Sequence, residues 1–225
     1  RPITESVARR SEAVLVVEPS MGLHGAVKTA RKGVGEYKLQ VTGKAAHSGL
    51  DFEKGVNAIL ELAAHLPAIS KVTDLKRGLT VNVGLIVGGT RANVVPGEAT
   101  ATIDVRVQKL KDIAEVERKL RALKPTNRAC RLEIKGGLNR PPMERTEGVA
   151  GLYKKASEIA KQLGWKLEEA AVGGGSDGNF TAGLGIPTLD GLGGVGEGAH
   201  ASNESIVISE LPKRAALLSG LIESA

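Results

Sequence analysis

The stretch Ala99-Thr100-Ala101-Thr102-Ile103-Asp104-Val105-Arg106-Val107 decides the fold. Ala101, Ile103, Val105 and Val107 fall on one face, and Thr100, Thr102, Asp104 and Arg106 on the other. A period of two predicts a β-strand with one face in a core and one toward water. Upstream, Leu79 to Val87 reads as a second strand and Tyr37 to Val41 as a third. Between those two, Val56, Ile59, Leu60 and Ala63 recur at i, i+3, i+4 and i+7, the apolar stripe of a helix. Downstream, Ile113, Val116, Leu120 and Leu123 mark a second helix, and Arg131 to Lys135 a closing strand. The order β-α-β-β-α-β is the ferredoxin-like split pattern, two helices on an antiparallel sheet. Gly136-Gly137 and Pro141-Pro142 punctuate its end.

The flanks read differently. Residues 13–18 form a short β-branched run, a buried strand, with His24 to Lys32 as its expected neighbour. Val149, Leu152, Tyr153, Ala156, Ile159, Ala160 and Leu163 give a long amphipathic helix. Leu167 to Val172 is a strand, Ser176-Asp177 can cap a helix through Leu184, and Pro187 to Leu192 is another strand. A last helix starts near Ser209, with Pro212 in its first turn. Such alternation predicts an α/β fold: a partial open α/β sheet over 1–34 and 139–225, interrupted by an inserted ferredoxin-like domain over 35–138.

Composition narrows the function. Of 225 residues, 41% are hydrophobic and 25% charged, as in ordinary globular proteins. The net charge of +6 is scattered, and only two Phe, two Tyr and one Trp are present. Without basic clusters or stacking aromatics, nucleic acid is not an expected partner. No apolar run approaches the roughly 20 residues of a membrane span. The single Cys130 excludes an intrachain disulfide and a cysteine zinc cluster, and reads as a buried thiol. The expected compartment is cytoplasmic rather than periplasmic or secreted. The opening Arg1-Pro2-Ile3-Thr4, without Met or signal-peptide core, reads as the start of a fragment or processed chain.

Several polar residues stand where chemistry is possible. Glu18 ends a strand, the edge at which ligands gather in open α/β sheets, and could be an oxygen ligand. Taken alone it is an ordinary solvated carboxylate. His200 lies in the glycine-rich Gly193–His200 loop, where an imidazole can ligate a metal or simply be solvated. His47, between Gly43 and Gly49, can donate a hydrogen bond to a developing oxyanion or be a surface histidine. His65, on an apolar helix, reads as structural. Arg106 is a natural fork for a carboxylate, and Asn93 flanks the same hairpin. Gly173-Gly174-Gly175 lacks the Gly-Lys-Ser/Thr ending of a nucleotide loop, but backbone amides at a helix start suit a carboxylate. On residue spacing alone, the ligands are too few for a catalytic zinc site, which needs about three.

Taken together and in order, six motifs resemble one family. They are Val16-Val17-Glu18-Pro19-Ser20, Gly43-Lys44-Ala45-Ala46-His47-Ser48-Gly49, Ala92-Asn93-Val94-Val95-Pro96, Asp104-Val105-Arg106, Gly173-Gly174-Gly175-Ser176-Asp177 and the His200 loop. The chain is similar to the zinc metallopeptidase family of glutamate carboxypeptidase, aminoacylase, acetylornithine deacetylase and succinyl-diaminopimelate desuccinylase, with the nearest likeness to glutamate carboxypeptidase. The resemblance implies a di-zinc site, with Glu18 on one zinc and His200 on the other. It implies that His47 reaches from the inserted lid into the partner subunit's site and polarises the scissile carbonyl. Asn93, Arg106, Arg140 and the backbone of Gly174 and Gly175 would hold the carboxylate of a small peptide or N-acyl amino acid, and the lid would form a homodimer. The family's His-x-Asp motif, bridging Asp and Glu-Glu pair would precede Arg1, and amide hydrolysis by zinc-bound hydroxide would need them. This chain alone is therefore expected to be inactive. The rival reading is a non-catalytic dimerisation or amino-acid-binding module.

Overall fold

Around the alternating strand Glu98–Val107, whose Ala99, Ala101, Ile103, Val105 and Val107 are all buried, residues 33–139 form one compact unit. Residues 1–32 and 140–225 form a second. The structure, a computed structural model, describes residues 9–198 and 201–224. In chain order the strands are β1 (Val14–Leu15), β2 (Val27–Arg31), β3 (Gly33–Thr42), β4 (Ala46–His47), β5 (Thr80–Gly88), β6 (Val94–Val95), β7 (Glu98–Val107), β8 (Arg131–Arg140), β9 (Glu169–Val172), β10 (Thr188–Leu189), β11 (Gly196–Glu197) and β12 (Ser205–Ile206). The α-helices are α1 (Ala58–Ser70), α2 (Leu110–Arg121), α3 (Glu147–Gln162), α4 (Gly178–Gly183) and α5 (Leu211–Glu223).

In the unit of 33–139 the sheet order is β5-β7-β3-β8, with β7 antiparallel to both β3 and β5. This is the expected split pattern. Leu62 and Ile69 of α1 and Ile113, Val116 and Leu120 of α2 pack with Tyr37 and Leu39 on one face of the sheet. Each such side chain contributes about 1.5–3 kcal/mol by leaving water. The expected stripe on α1 is rotated. Leu60 is 67% exposed and Ala63 is exposed, while Ala58, Glu61, Leu62, His65 and Ile69 are buried. The reason is polar. Glu61 Oε1 lies 2.8 Å from His65 Nε2 and accepts the Thr126 N–H at 2.7 Å, and Oε2 accepts the Thr126 hydroxyl and the Asn127 N–H. A satisfied carboxylate and imidazole can enter a core that the same groups unpaired could not.

Gly136 and Gly137 do not end β8, which runs on to Arg140. Gly136 has φ +94°, and a Cβ there would meet the Glu36 carbonyl oxygen at 2.1 Å. Glycine lets β8 lie close against β3 and continue.

In the other unit β1 pairs in parallel with β10, and β2 in parallel with β9. Strands β1 and β10 are two residues each, shorter than the runs 13–18 and 187–192 predict. Backbone bonds carry the contact beyond the paired residues, with the Val16 N–H donating to the Leu189 carbonyl at 2.9 Å and the Leu192 N–H to the Val16 carbonyl at 3.2 Å, while Val17 is 61% exposed. Helices α3 and α5 close the core with Ala156, Ala160, Leu217 and Leu221 against Val27, Leu167, Leu189 and Leu192. Thr146 caps α3 by accepting the Val149 N–H. Asp177 makes no side-chain cap on α4. Instead the Ser176 hydroxyl accepts the Gly178 N–H at 3.1 Å. With six residues, α4 is too short for a helix-dipole anion site. Among the described residues no helix is long and apolar enough to cross a membrane. Cys130 is buried and free, and burial pushes its thiol pKa up, with Glu61 adding to it.

Candidate functional site

In the unit of 33–139, β4 pairs with β6, setting His47 opposite Val94. The Ser48 N–H donates to the Asn93 carbonyl at 3.0 Å, so Asn93 lies one position along from His47 on the facing segment. The His47 side chain is exposed, and its Nδ1 accepts the N–H groups of Gly49 at 3.1 Å and Leu50 at 3.2 Å. A neutral imidazole whose Nδ1 is an acceptor carries its proton on Nε2. His47 therefore presents an N–H donor outward.

Arg106 is elsewhere. The segment carrying His47 and Asn93 is tied to the start of β7 by the Gly43 N–H bond to Gly97. Arg106 is eight residues beyond Glu98 along the same strand. At about 3.3 Å per residue that is on the order of 25 Å. Its guanidinium forks onto the Asp104 carboxylate at 2.8 and 2.9 Å. Within one chain, Asn93 and Arg106 cannot grip the same carboxylate.

In the other unit, Glu18 is exposed just past the end of β1. Its carbonyl accepts the Gly193 N–H at 2.8 Å, and Ser20 donates through N–H and hydroxyl to the Gly194 carbonyl. A Cβ on Gly193 would meet the Glu18 carbonyl oxygen at 2.8 Å, so only glycine allows this approach. Glu18 is thus held against the loop that leads to His200, and His200 itself lies outside the described residues. Nearby, Lys28 donates to the Pro19 carbonyl at 2.7 Å. Burial lowers its pKa and the Arg31 charge adds to this, against the pull of Asp190 and Glu18.

Gly174 and Gly175 are exposed in the loop after β9. Arg140 reaches the same loop: its Nη1 donates to Asp177 at 3.3 Å, and its guanidinium lies 4.9 Å from the centroid of the Phe180 ring. Together these are one guanidinium and a pair of glycine amides, a chemistry suited to a carboxylate.

Two buried arginines beneath these loops are not read from the sequence. Arg31 forms a fork on Asp190 at 2.7 and 2.8 Å and donates from Nη1 to the Gly174 carbonyl at 3.0 Å. Arg214 donates to the carbonyls of Gly193 at 2.9 Å, Gly25 at 2.8 Å and Gly191. Burial pushes its guanidinium pKa down. The available signal is a charge on the inward period: Val27, Thr29 and Arg31 alternate into the core.

Among the described residues no three of His, Cys, Asp or Glu gather to hold a metal. Glu18 is one carboxylate, and the described residues do not by themselves form a zinc centre.

Comparison with known proteins adds context. The peptidase dimerisation domain family matches residues 29–125. Carboxypeptidase G2 of Pseudomonas sp. (strain RS-16) is 28% identical over 226 residues, covering 99% of this chain and 54% of that protein. Succinyl-diaminopimelate desuccinylase of Dechloromonas aromatica (strain RCB) is 28% identical, covering 98% of this chain and 60% of that protein. The aminopeptidase PepT structure from Bacillus cereus ATCC 10987 superimposes with a TM-score of 0.80 at 27% identity, covering 96% of this chain and 58% of that one. The chain spans about half the length of the curated relatives it matches.

Proposed function

We propose that this chain, whose residues 29–125 match the peptidase dimerisation domain family and which aligns along nearly its whole length with relatives that include a carboxypeptidase and a desuccinylase, is part of a zinc-dependent, glutamate carboxypeptidase-like amidohydrolase of the M20 peptidases. The bond cut is an amide next to a free carboxylate, in a small peptide or N-acyl amino acid. Residues 35–138 serve as the lid and dimerisation domain, and 1–34 with 139–225 as part of the catalytic domain.

The observation that carries the reading is the separation of His47 and Asn93 from Arg106 along β7. Residues that distant can share a substrate only if two chains contribute. We assign His47 and Asn93 to one protomer's contribution and Arg106 to the other's. His47 Nε2–H donates to the carbonyl oxygen as it gains negative charge, which is worth most where the donor is already oriented. Arg106, Arg140 and the amides of Gly174 and Gly175 hold the carboxylate. Glu18 and His200 are the residues of this chain that would hold zinc, one on each of two ions. A catalytic zinc site takes about three protein ligands, so ligands beyond Glu18 and His200 would be needed.

The homodimer is supported by the outer strand β5, which exposes Leu85, Ile86 and Val87. An apolar edge strand is a template for pairing with a second copy.

A mixing experiment tests the shared site. His47→Ala and Arg106→Ala are made separately at the full length of the relatives. Each is expected to be inactive alone. After subunit exchange the mixture should regain about a quarter of parental turnover, since one site in half of the dimers is intact. A mixture no better than its components sinks the assignment. A parent protein that dimerises without turnover would favour the non-catalytic module instead.

A further inference from the structure

Asp190 is fully buried and takes four hydrogen bonds: two from Arg31, one from the Ser176 hydroxyl and one from the Gly191 N–H. A carboxylate offers about four lone-pair sites, so its accepting capacity is used up. Arg31 has one more prong, Nη1, and spends it on the Gly174 carbonyl at 3.0 Å. That carbonyl belongs to the peptide joining Gly174 to Gly175. A trans peptide is planar, and its C=O and N–H point opposite ways. None of the described peptides is cis. With the Gly174 carbonyl turned inward to a guanidinium that is 5% exposed, the Gly175 N–H must turn outward. Gly173-Gly174-Gly175 has almost no intrinsic preference that would keep this peptide from flipping. The tether supplies that preference.

We propose that Arg31 is a positioning residue which, anchored by Asp190 and acting through the Gly174–Gly175 peptide, aims the Gly175 N–H outward as a donor for a ligand carboxylate. This rests on the reading of Gly174 and Gly175 as carboxylate holders. Neither Arg31 nor Asp190 touches the ligand. Lys at position 31 would keep a charge facing Asp190 but lacks the planar fork that serves Asp190 and Gly174 together.

The test is a titration of the nitrogen-15-labelled 225-residue chain with N-acetylglycine, a probe with one amide and one carboxylate. The Gly175 amide resonance is expected to move downfield and saturate, with the Gly173 amide moving little. In Arg31→Lys the same titration should need about tenfold more probe, the loss of one oriented hydrogen bond. Asp190→Asn, which keeps size but weakens the anchor, should do likewise. An unmoved Gly175 resonance in the parent overturns the proposal, as does a folded Arg31→Lys or Asp190→Asn that titrates like the parent. If neither variant folds, the parent's contrast between Gly175 and Gly173 decides. Turnover is a separate measurement: a full-length protein without amidase activity overturns the peptidase reading and leaves the Gly175 result standing.

Discussion

The Nδ1 of His47 accepts the Gly49 N–H at 3.1 Å, and this bond sets which ring nitrogen faces outward. The two amide groups of His47's near isosteres separate the consequences. Gln at 47 carries its donor about where Nε2–H sits, and Asn carries it nearer Nδ1. In a full-length protein His47→Gln should keep more turnover than His47→Asn or His47→Ala. The latter two should lose roughly 10²–10³ in kcat, the scale of one oxyanion donor, with zinc content unchanged. Equal kcat for Gln and Asn, or parallel loss of zinc and turnover, would remove His47 from this role.

Glu61 gives the unit of 33–139 an acid sensitivity of definite sign. Burial alone would raise its pKa, but hydrogen bonds from Thr126, Asn127 and His65 outweigh this and hold it at about 2, below the ordinary 4.5. A depressed carboxyl stabilises the fold fully above about pH 4.5, and that contribution drains away as pH falls toward 2. The difference is on the order of 3 kcal/mol. Urea unfolding measured between pH 6 and pH 3 should show this slope, and Glu61→Gln should flatten it. An unchanged slope in the variant would mean another carboxyl carries it.

Two bidentate arginine pairs among the described residues of the unit formed by 1–32 and 140–225 should differ sharply. Asp190→Ala leaves Arg31 buried without its partner, which typically costs about 3–5 kcal/mol. Arg145 and Glu169 make an equally regular fork at 2.7 and 2.9 Å, but Arg145 is 47% exposed. Arg145→Ala should cost at most about 1 kcal/mol. Trp165 is the only tryptophan and packs against this unit's core, so its fluorescence reports the unfolding. Similar losses for the two variants would show that burial does not control these pairs.

A feature is legible in the sequence when the interaction that makes it is short in range. The period-two pattern from Ala99 to Val107 announced β7 because a strand's inward face is written locally. The stripe on α1 misled because Glu61 and His65 enter the core only through Thr126 and Asn127, some 65 residues away. Arg31 and Asp190 are 159 residues apart, and neither has a local sign of the other. Asn93 and Arg106 look like neighbours in a hairpin until the intervening strand is counted residue by residue. His47 and Glu18 were legible as polar residues at element ends; the ring nitrogen that faces out, and the backbone approach of Gly193 to Glu18, required coordinates.

The two edges of the four-stranded sheet are unequal, and this predicts which one dimerises. β8 carries Arg131, Glu133 and Lys135 along its outer course, charges that discourage edge-to-edge pairing. β5 runs Thr80 to Gly88 without a charged residue and exposes Leu85, Ile86 and Val87. Leu60 on α1, the helix that packs on β5, is exposed as well. A lysine placed on the β5 edge should therefore repel a second copy while costing the monomer little, because Ile86 is already 47% exposed. Ile86→Lys is expected to sediment as a monomer at concentrations where the parent is a dimer, with an unchanged urea midpoint for the unit of 33–139. Glu133→Lys on β8 should remain dimeric. If Ile86→Lys stays dimeric while Glu133→Lys dissociates, the interface lies on the opposite edge, and the pairing of His47 with a second chain's Arg106 must be rebuilt from β8.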